Sequence, residues 1–495
     1  MWTLYVGIFI ALVWILDYFL LDRRQFKLVR RLNHPLRLPL IGQAWLALGI
    51  KPSQTREFID KLNKGYNQLF PNVLCIYIGN KLEVGLSNYK YVERILTSTK
   101  FIAKSSLYDF LGDVLGEGLL FSTNQKWFER RRIITPTFHF KILGQFFEVF
   151  QKHSENLCRE LENLADGRTF DVTPHINMTV LKSLCETAMG CEINEKDYSY
   201  LNAVKELSYH VATNFLTPWH RIKLLYNLTP TKRAQDKCAK IIHDFTTKLI
   251  EERRKMLIKS TENQDLSDLD NDEIGLKRKM CLLDVLLQST SNGKPLSNDD
   301  IREEVNTFTF AGHDTTTIAT CFTLYMISKH VDVQQKLNKE IEEVLGKDEV
   351  TFKSLSEFKY LDMVIKETLR LYPPVPIISR RLYDEDDFGD FVAPGNANYN
   401  LFLYSLLRNP ANFEKPDEFN PDRFLENITP FGFIPFSAGQ RNCIGQKFAM
   451  INIKTTIINI LRNFEIFPGF IESKIEFHIT LKSNGSFIAL QKKIK

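Results

Sequence analysis

Two hydropathy regimes divide the chain. From Trp2 to Leu21 nearly every side chain is apolar, and Asp17 is the one charge. A helix of about 20 residues spans about 30 Å, one bilayer core. Arg23, Arg24, Lys27, Arg30 and Arg31 follow at once. No basic residue precedes the run and no small-residue cleavage site follows it, which favours a retained anchor over a removed leader. Basic flanks stay cytoplasmic, so the pattern predicts a transmembrane signal anchor over residues 1–21 with a short luminal N-terminus. Next, Pro35-Leu-Arg-Leu-Pro39-Leu-Ile-Gly42 reads as a stiff, non-helical strap. Residues 22–44 are thus a basic, proline-containing hinge, and 45–495 the body.

In the body, Val73 to Ser87 is rich in β-branched and aromatic residues around Gly79-Asn80-Lys81, and reads as a β-hairpin. The pattern then turns mostly helical. Residues 195–255 read as helices punctuated by Thr217-Pro218 and Thr229-Pro230. Ser260 to Gly275 is acidic and polar, a mobile surface loop rather than a site. Ile301 to His330 holds no proline and reads as one long helix, with Gly312, Thr315, Thr316 and Thr317 in its middle. Poor helix formers clustered inside an apolar helix predict a local distortion there. Leu361, Val364, Ile365 and Leu369 form a helical stripe that Pro373-Pro374 ends. Val375 to Arg380 then reads as an extended strand.

Composition narrows the class. The chain has 495 residues, 44% hydrophobic and 25% charged, so it is not disordered, and its length allows one large core. The 37 Phe suit a wide apolar interior. A net charge of +5 is too small to argue for nucleic acid, though a basic face for an acidic partner fits. Eight cysteines are scattered without a CxxC pair, which suits a reducing compartment. The sequon matches at Asn177, Asn227, Asn427 and Asn484 are accidental if the body is cytosolic.

The chemistry concentrates in Phe436-Ser-Ala-Gly439-Gln-Arg441-Asn-Cys443-Ile-Gly445. One cysteine lies between two glycines and just before a helical stretch. Glycines let a backbone turn sharply and approach a flat ligand. N–H groups at a helix start favour an anion such as thiolate, which is what iron needs. Read alone, Cys443 is also compatible with a buried structural cysteine.

The whole stretch resembles the haem-ligand loop of the cytochrome P450 family of haem-thiolate monooxygenases. Other motifs follow in the family's order. Ala311-Gly312-His313-Asp314-Thr315 resembles the family's oxygen-side helix motif, and the resemblance implies Asp314 as proton relay and Thr315 as its hydroxyl partner. His313, in the variable position, reads as a packing or surface residue. Trp127 and Arg131, four apart on one helix face, match a Trp-x-x-x-Arg element. With Arg380 and Arg441 they are implied to meet the haem propionates. Phe436, Gly439, Gly445, Ala311 and Gly312 are implied to border the haem. Glu367-x-x-Arg370 with Arg423 of Pro421-Asp422-Arg423-Phe424 resembles the family's structural network. Read alone, Glu367 and Arg370 would be an ordinary surface pair.

The fold implied is mainly α with small β-sheets, the cytochrome P450 fold: one large catalytic domain behind an anchor helix. The implied cofactor is haem b. Implied partners are NADPH-cytochrome P450 reductase, with cytochrome b5 as an optional second one, together with O2, a small apolar substrate and the endoplasmic reticulum membrane. Val375, Ile377 and Ile378 would line the pocket, and Lys126, Arg130 and Arg132 could face an acidic reductase. The string from Glu304 to Thr316 resembles family 4 of the superfamily. That branch usually has a Glu, able to esterify a haem methyl, where this chain has Ala311, which implies haem held without an ester. A haem-thiolate isomerase or dehydratase, or a haem sensor, would share the loop without needing the reductase.

Overall fold

A computed structural model describes residues 2–65, 73–262, 280–291 and 293–493. Most of the acidic stretch read as a surface loop therefore lies outside the described residues.

The hairpin forms where the pattern puts it. Val73–Ile78 pairs with Lys81–Leu86, with Ile78 opposite Lys81 across a two-residue turn. Lys81–Leu86 continues in parallel to Ala397–Phe402, which pairs antiparallel with Ile377–Leu382 to complete a four-stranded sheet. A three-stranded sheet joins Phe464–Pro468, Phe487–Lys492 and Asp166–Asp171, and a C-terminal hairpin pairs Ile475–Phe477 with Leu481–Ser483.

Helices carry the rest. The longest central one, Asn298–Lys329, starts at Ser297, whose hydroxyl accepts from the Asp300 N–H at 3.1 Å. Ser297 and Asp300 cap each other, which satisfies donors that the first turn would leave open. Most of this helix is buried, packed against Thr173–Leu184, Gln446–Asn463, Pro230–Glu262 and Lys359–Leu371. It is the beam on which both large helical core clusters meet.

The distortion expected at Gly312 and the threonines does not occur, and the helix runs through them without a break. Threonine hydroxyls satisfy themselves along the helix instead. Thr309 donates to the Val305 carbonyl at 2.7 Å, Thr315 to Ala311 at 2.8 Å, and Thr320 to Thr316 at 2.9 Å. Packing on four sides then overrides weak intrinsic propensity. A π-helical turn sits elsewhere, at Cys185–Met189.

At the N-terminus, Trp2–Leu20 forms an apolar helix with most of its large side chains exposed. No single helix among the described residues is long and apolar enough to cross a membrane. The segments Leu4–Leu20 and Arg23–Val29 reach that threshold together, but are bent 93° apart. Asp17 is buried, its carboxylate taken by Arg37 of the strap at 2.7 Å.

Candidate functional site

The cysteine loop is a backbone cage. The Cys443 N–H donates to the Phe436 carbonyl at 2.9 Å, closing the turn around Ser437 and Gly439. Gly439 has φ +68, and a Cβ there would stand 1.9 Å from the Leu96 carbonyl oxygen, so no other residue fits. The helix Gln446–Asn463 begins just after Gly445. Among the eight cysteines Cys443 alone is exposed. It is still deep enough that burial pushes its thiol up, opposed by the Gly445 N–H and the Arg131 charge. Cys75, with burial alone, is pushed up to about 12. Both opposing contacts favour the thiolate.

Cations crowd the loop. Arg131 donates to the Asn442 carbonyl at 3.0 Å and to the Asn442 Oδ1 at 2.7 Å, gripping the residue before Cys443. The Arg441 guanidinium lies 4.4 Å from the centroid of the buried Trp127 ring. It donates to carbonyls of Ile102, Leu119 and Ser122, and burial beside Arg380 lowers its pKa to about 9. Arg380 is buried and donates to the Ser379 carbonyl at 2.9 Å. Lys104 joins them, its pKa pushed well down by burial and by Arg380 and Arg441. Sequence reasoning missed Lys104. It sits in an irregular stretch with no periodicity to mark it, and only the fold brings it to Arg380 and Arg441.

Among the described residues, no ion pair joins Lys104, Arg131, Arg380 or Arg441 to a carboxylate. Like charges lowering each other's pKa inside a protein is costly unless an anion arrives. The set therefore suits a ligand bearing carboxylates beside a thiolate-bound metal, and haem with its two propionates meets that requirement.

On the long helix, Ala311, Gly312 and Thr315 keep accessible surface while the residues around them are buried. Ala311 and Thr315 are i,i+4 neighbours and share a face. Gly312 serves packing as well, since a Cβ there would come within 3.1 Å of Leu184. Asp314 and Thr315 do not bond to each other. Asp314 is buried on another face, where Thr480 donates to its Oδ2 at 2.7 Å and Lys482 pairs with its Oδ1. His313 packs as expected, bonded to Asn177, with burial lowering its pKa to about 4. The same Asn177 oxygen accepts from Thr317 at 3.2 Å, so this sequon residue belongs to helix packing.

The supporting network forms in full. Glu367 and Arg370 are both wholly buried, with Arg370 Nε 2.7 Å from Glu367 Oε2. Arg423 reaches Glu367 Oε1 at 3.0 Å, and Arg370 also donates to carbonyls of Leu407, Pro416 and Glu418. One basic residue offered to a reductase is withdrawn. Arg130 is buried, 2.5 Å from Asp300 and 3.7 Å from Glu304. Lys126 is paired to Glu303 at 2.8 Å, which leaves Arg132 exposed.

Comparison with known proteins bears on this geometry. The cytochrome P450 family model matches residues 33–486. Cytochrome P450 4d2 of Drosophila melanogaster is 43% identical over 470 residues, covering 92% of this chain and 93% of the relative. Cytochrome P450 4d1 of the same organism is 40% identical over 468 residues, covering 92% and 91%. Cytochrome P450 4e2 is 39% identical over 482 residues, covering 95% and 89%. The chain belongs to the cytochrome P450 family, among relatives designated family 4. It is a haem-thiolate monooxygenase, an oxidoreductase built as one large, mostly helical domain with small sheets.

Proposed function

We propose that this monooxygenase inserts one atom of O2 into a small apolar molecule such as a fatty acid, terpenoid, steroid or xenobiotic. Its electrons come from NADPH through NADPH-cytochrome P450 reductase, with cytochrome b5 as a second donor. Cys443 holds the haem iron, and Trp127, Arg131, Arg380, Arg441 and Lys104 hold the propionates. When bound, the haem activates dioxygen, so that one oxygen enters the substrate and the other leaves as water. The chain's own work is positioning. Phe436, Gly439 and Gly445 shape the loop, Ala311 and Gly312 present a low face, and Asp314 and Thr315 manage protons. Glu367, Arg370 and Arg423 keep the loop in place. Val375 and Ile377, both partly exposed beside the buried Ile378, contribute apolar wall to the pocket.

The observation that carries this reading is one accessible cysteine beside four cations that no ion pair among the described residues joins to a carboxylate. Reduced protein given carbon monoxide should show the band of thiolate-ligated haem, and Cys443→Ser should lose it. Haem bound without that band would overturn the ligand. Turnover requiring NADPH and reductase supports the oxygenase, whereas turnover with hydroperoxide alone would favour the isomerase reading.

The haem is held without an ester, because Ala311 supplies no carboxylate. The enzyme sits in the endoplasmic reticulum membrane with its body cytosolic. Exposed Leu4, Phe9 and Phe19 on the first helix support this, as do Trp219, Ile222, Leu224 and Leu228 on the connection after Leu216. Recovery in a carbonate-washed microsomal pellet, with the body open to protease from the cytosolic side, is the expected result. A soluble fraction would refute it.

A further inference from the structure

Arg441 is held by three backbone carbonyls, and two of them come from one short segment. Its Nε donates to the Ile102 carbonyl at 3.2 Å, its Nη1 to Leu119 at 3.3 Å, and its Nη2 to Ser122. The Leu119 peptide is used at both ends. While its carbonyl accepts from Arg441, its N–H donates to Glu304 Oε2 at 2.9 Å. The segment is fixed in place. The Phe121 and Ser122 N–H groups both donate to the Gly118 carbonyl at 2.9 Å. A Cβ at Gly118 would meet the Thr307 hydroxyl and the Glu303 carbonyl, so the backbone lies directly on the long helix. One peptide thus links a carboxylate near the start of that helix to the cation beside the cysteine loop.

We propose that Glu304 is a positioning residue for Arg441, setting through the Leu119 peptide how firmly that guanidinium is held for a haem propionate, and that a proton on Glu304 slackens the hold. A hydrogen bond to an ionised carboxylate is roughly twice as strong as one between neutral groups. Bonds in series polarise one another, so an ionised Glu304 makes the Leu119 carbonyl a better acceptor for Arg441. The proton has a defined place. Glu304 Oε1 is buried without a hydrogen-bond partner among the described residues, and Arg130 Nε, also without one, stands 3.7 Å away. One proton passes from solvent water to Oε1, and no electrons move.

The groups around Glu304 leave it free to titrate. Burial raises its carboxyl to about 7, against the Leu119 N–H and Arg130. On the helix Asn124–Ile134, Arg130 is spent on Asp300 at 2.5 Å, and Lys126 on Glu303 at 2.8 Å and Glu117 at 3.5 Å. Leu282–Gln288 packs against both helices, and its one charge, Asp284, is taken by Arg253 at 2.7 Å. The resulting direction is distinctive. A protonated Glu304 favours the fold, because it buries no charge. An ionised Glu304 favours the grip on Arg441. Falling pH should therefore stabilise the chain through this residue while loosening its cofactor. A carboxyl with a structural role alone would move both the same way.

The inference rests on the assignment of Arg441 to a propionate, and the experiment separates the two. Parent, Glu304→Gln, Arg441→Lys and the double variant are loaded with haem. Transfer of that haem to excess apomyoglobin is timed from about pH 5.5 to about pH 8.5. Amide exchange at Leu119 is followed in parallel. Release from the parent should be severalfold slower above about pH 7 than below it. In Glu304→Gln that step should vanish and release should stay fast, with Leu119 still protected because the amide oxygen accepts its N–H. Arg441→Lys should lack the step as well. The double variant should match it, since changes within one chain of contacts do not add. Glu304→Gln with the parent's profile overturns the inference, and so does a double variant in which the two effects add. Loss of Leu119 protection in Glu304→Gln would make the effect local unfolding and overturn it too. If Glu304→Gln loads no haem, Arg441→Lys decides, and a step that persists there is the overturning result. If neither variant loads, the contact is structural only and the inference is again overturned. Haem dimethyl ester, which carries no propionate charge, tests the assignment itself. Ester released as slowly as haem would sink the propionate reading whatever the Glu304 profiles.

Discussion

Asp17 accepts from both terminal nitrogens of Arg37 at 2.7 Å, and from the Leu40 N–H at 2.7 Å. The one charge that interrupts the apolar helix is therefore the point where that helix is pinned to the strap. The Arg37 guanidinium also lies 5.3 Å from the Tyr77 ring centroid, so the pin reaches the first sheet. The joint between helix and body is a fixed contact rather than a free linker.

Asp17→Ala should leave Arg37 buried and unpaired, at a cost of about 3 kcal/mol at the joint. The Leu40 amide loses its acceptor and should exchange with solvent on the order of a hundredfold faster. Asp17→Leu combined with Arg37→Met should recover most of that protection, because no buried charge is then stranded. Hydrogen exchange at Leu40 reads both results. Unchanged exchange in Asp17→Ala would mean the pair contributes nothing.

Glu367→Ala should be among the most damaging single changes in the body. It strands Arg370, wholly buried, and removes the acceptor for Arg423 and for the Asn420 N–H. Breaking such a network costs about 3–5 kcal/mol, set against a total stability on the order of 5–15 kcal/mol. Soluble yield and haem content should both fall steeply. Normal yield with normal haem would show that the network is dispensable.

That network was legible in the sequence through the family resemblance, which its short local motifs carry; the residues alone read as a surface pair. Glu367 and Arg370 are one helical turn apart, and Arg423 carries its own short motif. The Cys443 loop was legible in the same way, since the ten residues that carry the resemblance are contiguous. What escaped was long-range. Lys104 meets Arg380 and Arg441 only after folding, and Lys482 meets Asp314 across 168 residues. Arg130 looked like a solvated charge because its acids, Asp300 and Glu304, lie on another helix. The distortion foreseen at Gly312 failed because propensity is a weak prior inside a helix packed on four sides.

Glu304 makes stability depend on pH in an unusual direction. It is buried, with Oε2 accepting from the Leu119 N–H at 2.9 Å and Arg130 no nearer than 3.7 Å. Burial is the largest influence and raises its carboxyl from 4.5 to about 7. Over that interval the folded chain holds a proton that the unfolded chain has lost, so stability falls as pH rises. The effect amounts to about 3 kcal/mol across the window. Glu304→Gln keeps the shape without the titration. Thermal midpoints measured from about pH 5 to about pH 7 should lose this downward slope in the variant. Parallel curves for parent and variant would show that Glu304 does not titrate there.

Ala311 offers a gain-of-function test of how the haem is held. It shares an accessible face with Thr315 and lies in the middle of a helix with no distortion to relieve. A glutamate is a good helix former and adds only a longer side chain on that face. In the parent, haem should separate completely from protein denatured in acidic organic solvent, as measured by mass spectrometry. Ala311→Glu supplies the carboxylate that this position lacks, and a fraction of its haem should remain attached after turnover. The attached fraction should vanish in Ala311→Gln, which has the same length but no acid. Haem that stays bound to the parent would show that another side chain makes the bond. Complete release from Ala311→Glu would show that this helix face does not come close enough to the haem edge.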